Sequence, residues 1–194
     1  MFVAKEPPQP KEPTQALVAD NVRPIFGASK PWKADSWEAL DIGNATSCLS
    51  PLPDTTTGVR FHGTLDPDPV GLVTCASRAS PINHRWDFKR STSLRLILGN
   101  GDGRTYALRI VDSVPYFFSD QQTVEWQYIF VGRAGCLEIP WSAFQPVLKG
   151  YRQLDIANIA SFRLFVSRTT SNDVSQDGSF SLDIMGIADV VGPR

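Results

Sequence analysis

Phe61-His62-Gly63-Thr64-Leu65 is the stretch of this chain that most clearly decides its fold. Two further stretches support it, Gly101-Asp102-Gly103-Arg104-Thr105-Tyr106 and Ile139-Pro140-Trp141-Ser142-Ala143-Phe144. Each joins an alternation of apolar and polar residues to a turn or to the end of a strand. Because successive side chains of a strand point to opposite faces of its sheet, this alternation is typical of half-buried strands. It predicts an all-β sandwich, and none of the stretches carries a recognisable catalytic motif.

Length and composition place the chain among ordinary globular proteins. It has 194 residues, of which 42% are hydrophobic, and this is enough for one sizeable core. The formal net charge is −1, and no run rich in lysine or arginine provides the basic stripe of a nucleic-acid-binding protein. No apolar run approaches the roughly 20 residues that span a bilayer. We therefore expect neither a nucleic acid nor a membrane as partner.

The N-terminal region differs in composition from the rest. Residues 1–24 are predicted to form a proline-rich tail and a short lead-in, and residues 25–190 a single domain. The tail contains both lysine and glutamate and no apolar segment, unlike a signal peptide or a mitochondrial presequence. We therefore expect a cytoplasmic protein.

The clearest hairpin of the sequence is predicted between Leu94–Leu98 and Thr105–Val111. The connecting residues Gly99–Gly103 tolerate the positive φ angles that tight hairpin turns require. Leucines alternate along the first strand and apolar residues along the second, so each strand has one apolar face. Arg95 and Arg109 then fall on the opposite faces.

Five stretches together resemble the complex I intermediate-associated protein family. They are residues 61–65, 101–106, 124–128, 139–144 and 178–184, in the family's order. The resemblance spans about residues 25–188 and implies a galactose-binding-like jelly roll, a fold shared with carbohydrate-binding modules. The best-known members of the family assist the assembly of mitochondrial complex I. The chain departs from the family at residues 40–49, where a typical Asp-Asp and Gly-Gly-x-Ser pattern is reduced to one Asp and one Gly.

The candidate binding residues are polar and aromatic side chains on outward strand faces. Guanidinium groups suit an anionic or carbonyl-rich ligand, and several of them on one concave sheet would form a small-molecule site. For any single arginine, a solvated outer face is the alternative. The predicted ligand-binding residues on strand faces are Arg95, Arg109, Gln127, Arg163 and Phe165. Three further predicted ligand-binding residues, Trp37, Tyr116 and Phe118, are aromatic and are placed at the rim of the groove.

Few residues suggest catalysis, and none suggests a resident cofactor or metal. Arg109, Arg163 and His62 are the catalytic candidates, since His62 is the type of side chain that transfers protons near neutral pH. Asn100 and Asp102 offer two side-chain oxygens where a calcium site needs six or more. The three cysteines, at positions 48, 75 and 136, lack the spacing of metal ligands, and we expect reduced, mostly buried thiols.

Two classes of function remain open. In the first, the concave face binds a small organic molecule and orients it, as a cofactor-independent cyclase, pericyclase or isomerase. Such reactions need orientation, exclusion of water and one or two hydrogen bonds to a carbonyl group. In the second, the protein is a noncatalytic assembly factor or chaperone-like protein, as the resemblance implies, or a carbohydrate-binding module. We favour the first, with a small organic molecule as partner; a protein partner or a homodimer is the alternative.

Overall fold

The computed structural model describes residues 21–27, 38–42, 45–53, 58–65, 73–79, 85–113, 123–148, 153–167 and 175–192. For residues 38–42, 73–79, 113 and 123 it describes the backbone alone. A 3₁₀ turn at Trp141–Ala143 follows the strand that ends at Pro140. The strands are β1 (Val22–Gly27), β2 (Glu38–Ile42), β3 (Thr46–Pro51), β4 (Val59–Leu65), β5 (Val73–Ala79), β6 (Ser91–Gly101), β7 (Thr105–Ser113), β8 (Thr123–Val131), β9 (Gly135–Pro140), β10 (Gln145–Pro146), β11 (Ile159–Ser167) and β12 (Gly178–Val191).

The strands form two antiparallel sheets that pack face to face. Sheet A has the order β3-β4-β12-β6-β9, with β1 also paired to β12, and sheet B has the order β10-β8-β7-β11-β5-β2. Within the described ranges no helix is long and apolar enough to cross a membrane. The predicted all-β jelly-roll sandwich is confirmed. Strand β1 begins at Val22, inside the segment assigned to the lead-in, and the domain boundary itself stays a prediction.

The predicted hairpin between Leu94–Leu98 and Thr105–Val111 is wrong. Strand β6 pairs with β12 and β9 in sheet A, whereas β7 pairs with β11 and β8 in sheet B. Both strands turn their apolar faces inward, and burying these faces against each other requires the chain to cross between the sheets rather than to pair locally. The residues that permit a turn are thus used for a crossing, in which Gly103 has φ +77°.

The core lies between the two sheets and is built from the predicted apolar faces. Trp126 on β8 and Phe180 on β12 are 4% and 2% exposed. Phe61 packs against Phe180 with ring centroids 5.0 Å apart, and against Tyr106 at 6.4 Å. The alternation of apolar and polar residues thus predicted correctly which face of each of these strands is buried. The largest fully buried side chains of the inner core are Tyr106, Phe61, Phe162, Leu65, Leu94, Leu96, Leu98, Leu108, Ile110, Ile139 and Ile159.

Gly63 explains why the first quoted stretch contains a glycine. A Cβ atom at this position would lie 1.8 Å from the carbonyl oxygen of Thr46 on the paired strand β3. No side chain fits at that distance, so β3 and β4 approach each other only because residue 63 is glycine.

The cysteine prediction needs correction for the two thiols that the structure describes. Cys48 lies on β3 and Cys136 on β9, and both are free and exposed rather than buried. These strands are the two ends of the main path through sheet A, where less of the chain is available to cover a side chain. Cys75 lies on β5, of which only the backbone is described.

Candidate ligand-binding site

Four side chains of the predicted set lie on one face of sheet B. Gln127 on β8, Arg109 on β7 and Arg163 on β11 are direct register partners, so they form a row across three neighbouring strands. Phe165 lies two residues further along β11 and therefore on the same face. The neighbours of these residues along each strand point into the core, which leaves the row on the outer face of the sheet.

Glu125 joins the two arginines of the row. Its Oε2 accepts a hydrogen bond from Arg109 Nη1 at 3.3 Å, and its Oε1 accepts one from Arg163 Nη1. The side chains are partly sheltered, with exposed fractions of 17% for Arg109, 30% for Arg163 and 26% for Glu125. One carboxylate is thus divided between two guanidinium groups in surroundings drier than bulk water. We call Arg109, Glu125, Gln127, Arg163 and Phe165 the arginine face.

Phe165 gives the arginine face its aromatic surface. The guanidinium carbon of Arg109 lies 3.4 Å from the centroid of the Phe165 ring, a cation–π contact. On the neighbouring arginine, Nε of Arg163 is buried and has no hydrogen-bond partner within the described part of the chain. A buried N–H group without a partner costs about 1–3 kcal/mol, so the ion pair with Glu125 leaves part of the hydrogen-bonding capacity of Arg163 unused.

This arrangement can bind and polarise an oxygen-bearing group. Charged donors hold a carboxylate, and they also stabilise negative charge that develops on a carbonyl oxygen during a reaction. The carboxylate of Glu125 is in addition a proton acceptor within reach of a molecule held by either arginine. The side chains of the arginine face are thus of the kinds that can hold an oxygen atom and accept a proton.

Glu125 is absent from the residues predicted for this site, although the sequence contained the signal. It stands two residues before Gln127 on β8, so period two places both on the same face. Register pairs Gln127 with Arg109, which puts Glu125 diagonally opposite the guanidinium. A search for opposite charges on outward positions would have selected it.

Arg95 does not join the arginine face. It lies on β6 in sheet A, where its Nη2 donates to Oε2 of Glu138 on β9 at 3.0 Å. The predicted convergence of Arg95 with Arg109 and Arg163 is wrong, because β6 and β7 belong to different sheets and their outward faces point in opposite directions. The two sheets, about 10 Å apart in such sandwiches, separate the two groups.

His62 also lies on the other sheet. It is half-buried on β4, on the face opposite the core residue Phe61, and its Nε2 lies 3.0 Å from Oγ of Ser50 on β3. Cys48 Sγ lies 3.6 Å from the same Ser50 oxygen. This local chain of polar groups shares no face with the arginines, so the three catalytic candidates do not form one site.

Three predicted rim residues, Trp37, Tyr116 and Phe118, lie outside the described residues. Their proposed contacts with a ligand therefore stay predictions.

Both oxygen atoms of the Asp102 carboxylate accept hydrogen bonds. It accepts hydrogen bonds from the Tyr106 hydroxyl group at 3.0 Å, from the backbone N–H of Arg104 at 3.0 Å and from that of Ser181 at 2.9 Å. Its Oδ2 also lies 3.3 Å from Nε of Arg104. The acid thus fastens the crossing between β6 and β7 to strand β12.

Arg104 completes this second group of charges. Its Nη2 donates to the carbonyl oxygens of Asp177 at 2.8 Å and Ser179 at 3.0 Å, and its Nη1 donates to that of Gln176. Burial, and then the charge of Asp102, raise the pKa of Tyr106 well above its ordinary value. We call Asp102, Arg104 and Tyr106 the Asp102 cluster.

A separate cavity of about 170 Å³ lies beside β1 and β12. Arg23, Trp86, Phe88 and Asp189 are among its lining residues, and Nε of Arg23 donates to Oδ2 of Asp189 at 2.9 Å. Its volume is below the roughly 300 Å³ at which ligand pockets begin, and it contains none of the predicted site residues.

Solved structures of other proteins share this fold. Two structures of the family 11 carbohydrate-binding module from Clostridium thermocellum, one of them with a β-1,3-1,4-mixed-linked tetrasaccharide, align with TM-scores of 0.65 and 0.66. They are 13% and 15% identical and cover 91% of this chain and 98% and 99% of their own. The family 30 module of a Clostridium thermocellum cellulosomal cellulase aligns at 0.53, with 10% identity over 89% of this chain and 99% of that chain. At such identities the likeness shows the fold alone: a galactose-binding-like jelly roll.

Sequence comparison gives the family. The profile described as Complex I intermediate-associated protein 30 (CIA30) matches residues 30–184. The chain belongs to this family, and the resemblance inferred from the five stretches is confirmed. No curated protein sequence matches the chain at a significant level.

Proposed function

We propose that the arginine face binds a small organic molecule through a carboxylate or carbonyl oxygen and orients it for a cyclisation or an isomerisation. The observation that carries the proposal is the convergence of Arg109 and Arg163 on the single carboxylate of Glu125, beside the ring of Phe165. Two guanidinium groups share one carboxylate, so together they have more donors than Glu125 can accept, and this supports the proposal that a second oxygen-bearing group binds here.

The proposed chemistry follows from these side chains. A guanidinium group that holds a carbonyl oxygen stabilises the negative charge that forms there when a neighbouring C–H bond loses its proton. Glu125 is the acceptor for that proton, and it returns the proton to another carbon or oxygen of the same molecule. The product is then an isomer of the substrate, and Phe165 restricts how the substrate lies on the sheet.

Binding is tested first, with a panel of small carboxylic acids and ketones measured by isothermal titration calorimetry on the full chain. Arg163→Gln is expected to weaken a bound member at least about ten-fold, because a charge-assisted hydrogen bond is lost. Arg95→Gln is the matched control, since Arg95 is also ion-paired on an outward strand face but in the other sheet. Binding that survives Arg163→Gln, or that falls equally in Arg95→Gln, would contradict the proposal.

Catalysis is tested on whichever compounds bind. Because a cyclisation or an isomerisation leaves the mass unchanged, products are sought by chromatography combined with NMR. Glu125→Gln keeps the size of the side chain but removes its basicity, so it is expected to abolish turnover while binding persists. A ligand recovered unchanged after long incubation with the wild-type chain would leave a binding module and not an enzyme.

A noncatalytic role is the second candidate, and the comparisons favour it. The solved structures with this fold include a module bound to a mixed-linked tetrasaccharide, and the family name refers to an intermediate of complex I. Within the described part of the chain, however, no aromatic side chain is among the exposed large hydrophobic ones, and such rings are the usual platform for a sugar. The arginine face therefore suits a charged or carbonyl-bearing ligand better.

Two measurements separate this candidate from the first. Titration with the mixed-linked tetrasaccharide would favour a carbohydrate-binding role if the affinity is unchanged in Arg163→Gln. Co-migration of the chain with a complex I intermediate on native gels would favour the assembly role. A cytoplasmic location is expected for the proposed enzyme. Cell fractionation that places the chain in mitochondria would support the assembly role instead.

A further inference from the structure

We infer that the molecule bound at the arginine face is amphipathic, with an acidic or carbonyl head group at the arginines and an apolar body that lies along β8 over Ile129 and Val131. This inference rests on the proposed function and names the class of its ligand. It depends on side chains beyond the arginines themselves.

Along β8, the outer face of sheet B changes from polar to apolar. Glu125 and Gln127 belong to the arginine face, and the next two outward residues of the strand are Ile129 and Val131. Strand residues on one face repeat every 7 Å or so, which places the two apolar side chains about 7 and 14 Å beyond Gln127. Polar and apolar portions of a bound molecule would thus have separate places on one continuous strand.

Exposure sets these two side chains apart. Ile129 and Val131 are each 45% exposed, and in the described part of the chain only Leu148, at 64%, joins them as an exposed large hydrophobic residue. A single exposed aliphatic side chain is ordinary, but two successive outward positions beside a charged site form a local apolar strip.

Register connects the strip to the aromatic ring of the site. Ile129 pairs with Ala107, and Ala107 pairs with Phe165, so the three residues form a row next to the row of Gln127, Arg109 and Arg163. Ala107 is only 5% exposed and forms a low floor between the two larger side chains. The apolar part of a molecule whose head group is held by the arginines would therefore contact Phe165 on one side and Ile129 on the other.

A small dissolved molecule fits this face better than a protein or a sugar. Two half-exposed side chains and one ring offer far less than the roughly 800 Å² that each partner buries in a stable protein interface. A sugar would place hydroxyl groups against Ile129 and Val131, where they would lose water without gaining hydrogen bonds. An acid or ketone with an aliphatic or aromatic body satisfies both parts of the face.

The test uses hexanoate, octanoate and decanoate, below their micelle concentrations, in calorimetric titrations of the full chain. Each added methylene group buried on the strip is expected to strengthen binding by up to about four-fold. The double variant Ile129→Thr with Val131→Thr keeps β-branched side chains and is expected to reduce this dependence on chain length. Arg163→Gln is expected to weaken all three acids at least about ten-fold and to leave the dependence unchanged.

Leu148→Thr is the matched control for the strip. The backbone N–H of Val147 donates to the backbone carbonyl oxygen of Glu125, so Leu148 lies near the end of β8 that is opposite to Val131. The Leu148→Thr substitution is expected to leave the dependence of affinity on chain length as it is in the wild type. Circular dichroism of each variant checks that the sandwich is intact, and the wild-type series alone decides the inference if a variant does not fold.

The outcomes distinguish this inference from the proposed function. Arginine-dependent binding with equal affinity for all three acids would overturn the amphipathic ligand and leave the proposed site standing. Binding that no arginine variant changes would overturn both. Binding to phosphatidylglycerol vesicles without binding to the dissolved acids would also overturn it, since the ligand would then be a membrane surface.

Discussion

The arginine face and the Asp102 cluster both combine arginine with a carboxylate, yet they use the charges differently. In the Asp102 cluster, the acid and the guanidinium are bonded to backbone groups of three segments of the chain. In the arginine face, the described partners are other side chains on the same surface, and Nε of Arg163 has none. The difference teaches that backbone partners tie the Asp102 cluster to three segments of the fold, whereas the described charges of the arginine face hold only one another, and the proposed ligand would compete with Glu125 for them.

The largest expected effects test whether the core side chains beneath the two regions contribute equally to stability. Trp126 lies on the inner side of β8 beneath the arginine face, and Phe180 lies beside Tyr106 beneath the Asp102 cluster. Trp126→Ala and Phe180→Ala are each expected to lower the free energy of unfolding by about 3–5 kcal/mol, since each truncation leaves a cavity. Urea denaturation followed by circular dichroism measures both. A clear inequality would show that the two regions differ in packing as well as in charge.

The next effect concerns the Asp102 cluster alone. Asp102→Ala removes the acceptor of the Tyr106 hydroxyl group and of two backbone N–H groups, and the Tyr106 side chain is almost fully buried. The expected loss is about 3 kcal/mol in the free energy of unfolding. Glu125→Ala is the matched removal of a carboxylate on the arginine face, and it is expected to cost less because the described partners of Glu125 are two arginine side chains rather than a buried hydroxyl group and backbone N–H groups. Equal losses would erase the distinction between the two regions.

Alkaline pH sharpens the comparison through Tyr106. Burial and the charge of Asp102 raise the pKa of Tyr106 in the folded chain, whereas an unfolded tyrosine ionises near pH 10. The folded state therefore retains a proton that the unfolded state loses, and the stability gained by keeping Tyr106 neutral is complete below about pH 10 and declines above it. Chemical denaturation between pH 8 and 11 should show a shallower decline in Tyr106→Phe than in the wild type. Tyr128→Phe serves as the control, and an identical slope in all three proteins would contradict the expectation.

The sequence predicted the fold better than the site, for a physical reason. Alternation fixes which face of a strand is apolar, so the inward positions of Trp126 and Phe180 followed from their neighbours alone. It does not fix which sheet receives a strand. Arg95 and Arg109 look equivalent in sequence, and only the crossing between β6 and β7 places them on opposite sides of the molecule. Glu125 was identifiable as outward-facing, but its role depends on the register between β7 and β8.

The smallest expected effect on stability separates the two arginines most directly. Arg163→Gln should change the free energy of unfolding by less than about 1 kcal/mol, because the side chain is 30% exposed and Glu125 keeps its bond to Arg109. Arg104→Gln should lose about 2 kcal/mol, since the guanidinium bonds that satisfy three backbone carbonyl groups disappear. Both variants replace an arginine by the same neutral side chain, so thermal or urea unfolding compares them directly. A larger loss in Arg163→Gln than in Arg104→Gln would mean that the arginine face holds the sandwich together, and its charges would then need no ligand to explain them.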